Sequence, residues 1–212
     1  MKLNPLATLL ARRTPGVMDV TREYAVLVPL IPQGDGRYTL LYEIRAAALA
    51  HQPGEICFPG GRLEGEETPT ACALRETEEE LAIPPAAVRV LGRLDVLAHR
   101  TGSLIHPILG VVDPAAAKAL RPSPAEVAET FQVPVDWLLA REPEEFSYPL
   151  RPAPGADFPY DRLGIPSDYP WVPGRERVPA YHWQDRIIWG ITGRITRHFT
   201  ALLRQSQQEE RP

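Results

Sequence analysis

Apolar positions along this chain switch between two periods, and the switches mark its elements. Residues 1–22 begin with a short amphipathic helix that sets Leu3, Leu6, Leu9 and Leu10 on one side, then turn at Pro15-Gly16. Tyr24 to Ile31 is a dense apolar run, which predicts a buried strand. Gly34-Asp35-Gly36 supplies residues able to take positive φ, and Arg37 to Ile44 returns as the second strand of a hairpin. Glu55 to Phe58 predicts a short strand stopped by Pro59-Gly60-Gly61. At Thr68 the period changes. A hydroxyl at the N-cap and a proline at the first helical position open a helix that runs to about Leu81 and stops at Pro84-Pro85. Val88 to Leu97 and Leu104 to Val112 read as two further strands. Glu126 to Val133 reads as another, on its β-branched content, and Pro134 starts a short helix through Leu139. Tyr181 to Trp183 is extended, and Ile187 to Leu203 forms a closing helix with Ile188, Ile191, Ile195 and Phe199 near helical spacing. The pattern is mixed α/β with mostly hairpin-connected strands, not a βαβ alternation.

Composition changes this picture in one place. Proline numbers 24 of 212 residues, about twice the usual ~5%, and nine of them lie between Pro143 and Pro179. The same stretch carries Phe146, Tyr148, Phe158, Tyr160, Tyr169 and Trp171. Residues of about 141–180 therefore read as a long, aromatic-rich loop inserted into a single domain of residues 1–212, serving either substrate contact or packing and dimer contact. The net charge of −4 leaves no global basic field for nucleic acid or anionic lipid. Two cysteines, Cys57 and Cys72, are too few for a disulfide framework or a Cys-rich zinc site, and fit a reduced, cytoplasmic setting as inert packing thiols. No apolar stretch approaches ~20 residues and no signal-peptide pattern opens the chain, so neither a membrane span nor export is expected. Trp183 and Trp189 read as core residues, and the scattered histidines show no ligand spacing.

Candidate chemistry concentrates in Gly60-Gly61-Arg62-Leu63-Glu64-Gly65-Glu66-Glu67 and the helix that follows. At ~100° per residue, with Glu76 at zero, Glu79 lies near −60° and Glu80 near +40°, so three carboxylates share an arc of ~100°. Leu74, Thr77 and Leu81 form the packing stripe, and Glu78 points away from the acids. Like charges at these spacings repel. A hard divalent cation among them is the economical remedy, since Mg²⁺ takes oxygen ligands and bridges carboxylates to phosphates. Taken alone, an acidic helix is more often a solvated face.

The flanking pattern alters that reading. Gly61-x5-Glu67-x7-Arg75-Glu76-Thr77-x-Glu79-Glu80-x-Ala82-Ile83 resembles the signature of the Nudix hydrolases and keeps its charged anchors and leading glycine. Thr77 stands where an aliphatic residue is usual, which weakens helix packing slightly. Ala82 replaces the usual glycine, which implies a helix end without a left-handed residue. The resemblance implies an α/β/α sandwich around a mixed sheet, in which the loop–helix–loop of Gly61 to Ile83 holds Mg²⁺ or Mn²⁺. It implies metal contacts from Glu76, Glu79 and Glu80 with a Gly60 or Gly61 carbonyl, and support of the loop by Glu67 through Arg75, which also orients Glu79.

A second resemblance, to the coenzyme A pyrophosphatase branch of that family, lies upstream. Its motif, roughly L-L-T-x-R-[SA]-x3-R-x3-G-x3-F-P-G-G, is matched at Arg45, Ala46, Gly54, Phe58, Pro59, Gly60 and Gly61. Tyr42, Glu43 and Ala50 depart from it, and His51 stands beside the missing arginine as a partial substitute. The closing Ile187 to Arg194 also looks like that branch. The resemblance implies cleavage of coenzyme A or its thioesters, with Arg45, Arg62 and His51 on the substrate and Gly54, Phe58 and Pro59 supporting the site. The general base is Glu76 or one of Glu126 and Glu129; a strand would point the last two to opposite faces, and Glu126 is favoured as the nearer to a loop. Other nucleoside diphosphate derivatives and a catalytically silent sensor are the competing readings. The expected partner is a small nucleotide, with the protein a monomer or homodimer that binds neither nucleic acid nor membrane.

Overall fold

A computed structural model describes residues 4–209, and its central sheet is split at one end. Strands β1 (Arg22–Pro32) and β2 (Tyr38–Arg45) form the expected hairpin, but they pair only next to the turn, from Leu30↔Leu40 to Pro32↔Tyr38. Beyond that point they diverge. Strand β3 (Ile56–Cys57) pairs with β2 at Glu43 and Ile44, while β4 (Gly60–Arg62) pairs with β1 at Tyr24, Ala25 and Val26. The Leu27 N–H donates to the Pro59 carbonyl at 2.8 Å. The segment Ile56 to Arg62 is thus wedged into the split, held from both sides.

Outside the hairpin, β7 (Ser103–Val112) runs parallel to β1 from Arg22↔Ser103 to Leu30↔Val111. Antiparallel β5 (Val88–Arg93) and β6 (Leu97–His99) flank β7, and β8 (Val127–Pro134) flanks β2. The sheet is therefore mixed. Alternation along β1 and β2 gives it two apolar faces. Ala25, Leu27, Ile31 and Leu41 pack with Cys72, Ala73 and Leu81 of α2 (Pro69–Leu81). Val28, Leu30, Leu40 and Tyr42 pack with Ile195 and Phe199 of α6 (Gly190–Glu209). Each fully buried leucine contributes about 1.5–3 kcal/mol, so both helix layers are anchored by burial, not by propensity. Polar ties fix α6 further: Tyr42 and Thr196 hydroxyls meet at 3.0 Å, and Thr192 Oγ1 donates to the Ile56 carbonyl at 2.9 Å.

Several elements differ from the sequence reading. Helix α1 covers only Asn4–Arg12, with Leu6, Leu9 and Leu10 exposed; Leu3 lies outside the described residues. The strand expected through Leu97 breaks at Arg93, after a register shift between Val90 and Gly92. Ile187 and Ile188 belong to β11 (Arg186–Ile188), not to the closing helix, because Gly190 at φ +63° turns the chain between the two. Short helices α3 (Pro114–Lys118) and α4 (Val135–Leu139) join strands. The largest difference is the insertion. Strand β9 (Glu144–Leu150) pairs with β10 (Gly174–Trp183) from Glu144↔Ala180 to Leu150↔Gly174. Between them α5 (Tyr160–Leu163) sits in an aromatic knot, with the Phe158 ring 4.9 Å from Tyr160 and 5.7 Å from Trp171. Among the described residues no helix is long and apolar enough to cross a membrane.

Candidate active site

Helix α2 begins as its sequence dictates, with Thr68 Oγ1 accepting from the Ala71 N–H at 3.2 Å. Its end does not. Ala82 adopts φ 56°, ψ 32°, a left-handed residue after all, with its N–H donating to Glu78 O. The turn lets Ile83 bury completely and costs roughly 1–2 kcal/mol for a residue with a Cβ. Thr77 is fully buried, and its hydroxyl donates to the Ala73 carbonyl at 2.6 Å, so it leaves no unmet polar group.

The three carboxylates of the arc share a helix face but not a surrounding. Glu80 is 3% exposed, and its Oε2 accepts from the Gly60 N–H at 2.8 Å inside the split. Glu76 is half-buried, lying over Gly61 so closely that a Cβ there would stand 2.2 Å from its carboxyl carbon. Glu79 is exposed and shares the Arg75 Nη1 with Glu76. The cation that sits among the acids is Arg75 itself, 2.8 Å from Glu76, 3.3 Å from Glu79 and 2.9 Å from Glu67. Glu67 also accepts from the Glu64 N–H, and Arg75 with that bond holds its carboxyl down at about 2.

Sequence reasoning missed Glu43, noted only as a departure from a motif. It is 1% exposed, accepts the Cys57 thiol at 3.2 Å, and leaves its Oε2 with no partner. Burial pushes Glu43 up to about 7 and Glu80 up to about 9, the latter raised further by the nearby Glu43. Burial also raises Glu76, and Glu126 adds to all three shifts. The split therefore gathers acids that disfavour one another's charge, with one carboxyl oxygen of Glu43 left unpartnered. An all-oxygen donor set of this kind suits a hard divalent cation. Among the described residues, no three His, Cys, Asp or Glu side chains stand close enough to hold one, and Arg75 occupies Glu76 and Glu79. The Gly61 carbonyl accepts from the Cys72 thiol at 3.6 Å, which leaves Gly60 as the better-placed carbonyl. Cys57 lies on the cavity wall, yet burial and Glu43 push its thiol far up, so it stays protonated.

A cavity of about 790 Å³ opens from the split. Gly60, Gly61, Glu76, Glu80 and Glu126 line its acidic end, and Arg45, His51 and Arg62 line it as well. Glu79, Glu67, Arg75 and Glu129 do not; Glu129 instead pairs with Arg186 at 2.6 Å. Gly54, at φ +73°, donates its N–H to the Arg45 carbonyl at 3.0 Å and so closes the turn that carries His51. Phe58 stacks on Tyr42 at 4.8 Å, and Pro59 is buried beside it, which fixes the approach to Gly60. Trp183 packs edge-on against Trp137, as a core residue should. Trp189 does not: it is 49% exposed and stands on the cavity wall, set there by the turn at Gly190. Arg22, His99, Thr101 and Ser103 also line the cavity and were missed. Arg22 was legible in principle, since it shares a face of β1 with Tyr24 and Val26 at alternate positions. No residue of the 141–180 insertion reaches this wall.

The two glycines of the wedge should respond differently to the same change. A Cβ at Gly60 would meet the Ala25 carbonyl at 2.3 Å, whereas one at Gly61 would meet only the end of the Glu76 side chain. Gly60→Ala is expected to cost about 2–4 kcal/mol of stability. Gly61→Ala should keep its Tm within a few degrees but lose activity by displacing Glu76. Thermal melts and kcat on both variants check this; equal losses of stability would contradict it.

The NUDIX domain profile matches residues 21–152. The chain is 34% identical over 178 residues to the uncharacterized Nudix hydrolase NudL of Photorhabdus laumondii, covering 84% of this chain and 82% of that one. It is 38% identical to NudL of Cronobacter sakazakii over 83% and 80% of the two chains. It is also 37% identical over 120 residues to the mouse peroxisomal coenzyme A diphosphatase NUDT7, covering 56% of this chain and half of the mouse protein. With a family match across residues 21–152 and relatives aligned over about four fifths of both chains, the chain belongs to the Nudix hydrolases.

Proposed function

We propose that this Nudix hydrolase cleaves the diphosphate of coenzyme A or its thioesters, giving 3′,5′-ADP and 4′-phosphopantetheine or the acylated form. The observation that carries the reading is one cavity joining the acidic split to Arg45 and Arg62, neither of which has a carboxylate partner among the described residues. The coenzyme A diphosphatase among its relatives supports the same substrate class. Bound Mg²⁺ or Mn²⁺ supplies charge neutralisation at the diphosphate and acidifies water. Glu76 and Glu80, with the Gly60 carbonyl, are the residues that would hold it, and Glu79, which stands off the cavity on Arg75, would join them by leaving that ion pair. Arg75 acts through the glutamates it positions, since it stands off the cavity. Arg45 and Arg62 bind and orient the diphosphate oxygens. Glu126 accepts the proton of the attacking water; it lines the cavity and, among the described residues, carries no ion pair that would compete for its oxygens.

A second reading, another nucleoside diphosphate derivative such as ADP-ribose or NADH, is favoured by Ala50 standing where the branch motif has an arginine. Incubation with Mg²⁺ and a panel of coenzyme A, acetyl-CoA, ADP-ribose, NADH and a dinucleoside polyphosphate, with products weighed by mass spectrometry, separates the two. Fastest release of 3′,5′-ADP from the coenzyme A compounds is the expected result. Faster release of AMP from ADP-ribose or NADH would overturn it.

A further inference from the structure

The end of the cavity away from the acids has no role in the account above. Along β1, Val26 lies opposite Gly60, and Arg22 lies four residues back on the same face, about 13 Å away at the usual strand rise. Arg22 pairs in register with Ser103, and the β6–β7 turn brings His99 and Thr101 to the same wall. Arg22 makes no ion pair and no side-chain hydrogen bond among the described residues. Arg75, Arg186, Arg194, Arg197 and Arg204, by contrast, all hold carboxylates.

The neighbouring hydroxyls form a directed chain. Arg100 Nη1 lies 3.0 Å from His99 Nε2, and a guanidinium can only donate. Nε2 is therefore the acceptor, and a neutral His99 must carry its proton on Nδ1. Burial and Arg100 both lower the affinity of His99 for a second proton, consistent with that neutral tautomer. Nδ1–H donates to Thr101 Oγ1 at 2.8 Å, and Thr101 Oγ1 lies 3.2 Å from Ser103 Oγ. Two hydroxyl hydrogens remain, and one is used between Thr101 and Ser103. Whichever way that bond points, the other hydrogen is left without a protein acceptor among the described residues, on a side chain that lines the cavity.

We infer that Arg22, Thr101 and Ser103, oriented through His99 and Arg100, form a subsite for a terminal phosphate monoester of the ligand, separate from the diphosphate bound at the acidic end. An unpaired guanidinium and a surplus hydroxyl donor are complementary to phosphate oxygens and offer nothing to an uncharged ribose edge that a carboxylate would not serve better. The identity of the ligand as a 3′-phosphorylated nucleotide rests on the coenzyme A reading; the anion subsite itself does not. Arg45, whose charge acts on Glu43, belongs with the acidic end.

The test is calorimetric binding of 3′,5′-ADP and 5′-AMP to the full chain, with kinetics on coenzyme A and dephospho-coenzyme A beside it. The wild type should bind 3′,5′-ADP at least tenfold more tightly than 5′-AMP. Arg22→Ala should erase that preference, Arg22→Lys should restore part of it, and Thr101→Val should reduce it several-fold. KM for coenzyme A should rise in the first variant far more than KM for dephospho-coenzyme A, with kcat little changed. A wild type without the preference, or variants that keep it, would overturn the subsite. A wild type that binds 3′,5′-ADP selectively but cleaves neither coenzyme would keep the subsite and remove the proposed reaction instead.

Discussion

Glu80→Gln should lower kcat at saturating Mg²⁺ by about 10³-fold or more while the protein stays folded. The amide is nearly isosteric, and its oxygen can still accept from the Gly60 N–H that now bonds Glu80 Oε2. What it removes is a charge in a buried split, where that charge is worth most to a bound cation. Stability should move the other way in metal-free protein. The unfolded carboxyl titrates near 4.5, but burial and Glu43 raise the folded group to about 9. Below pH 4.5 both states are protonated and the raised affinity contributes in full. As pH climbs through that window the unfolded state ionises first, so the contribution is lost until the folded carboxyl ionises too. Glutamine has no such proton to lose. The metal-free variant should therefore melt above the wild type in the upper part of that window, a gap that added Mg²⁺ closes from the wild-type side. Near-wild-type turnover would remove Glu80 from the ligand set.

Glu126→Gln should cost about 10²–10⁴ in kcat and abolish the acidic limb of the pH–rate profile, leaving the metal concentration at half-maximal activity unchanged. Glu126 reaches the cavity from the residue just before β8, where the Ala46 N–H anchors its carbonyl at 2.8 Å. Glu129, three residues on, is directed elsewhere and held by Arg186, so Glu129→Gln should leave the profile intact. If Glu126→Gln keeps the wild-type limb, proton transfer belongs to Glu76 on the helix.

Local chemistry made α2 legible: the Thr68 cap, the Pro69 start and the apolar stripe all agree with its observed limits. The β1–β2 hairpin was legible for the same reason, since its turn and alternation are both local. What the sequence could not show was the split. Nothing near Glu55 to Arg62 announces that β3 and β4 pair with different strands, because each bridge is long-range. The burial of Glu43 and Glu80 follows from that wedge, and with it the separation of Glu79 from its two neighbours. Helical angles alone place side chains on a face, and the guanidinium of Arg75, one residue before Glu76 and one turn before Glu79, draws those two carboxylates to itself. The insertion was misread because prolines at Pro149 and Pro179 suggested loop, although a peripheral ribbon has room for them.

The wedge also divides the cavity by mechanical support. Its acidic end stands on strands hydrogen-bonded along both edges, so a substitution at Gly60 or Phe58 is felt by the whole core. At the opposite end only Arg22 and Ser103 stand on strands, and the rest of the wall comes from turns: the loop after Ala46, the bend through Gly102, and the corner at Gly190. Changes there alter what is gripped without disturbing the reacting centre. Substitutions in those three turns should therefore shift ligand preference at little cost in stability, whereas substitutions in the wedge should cost both.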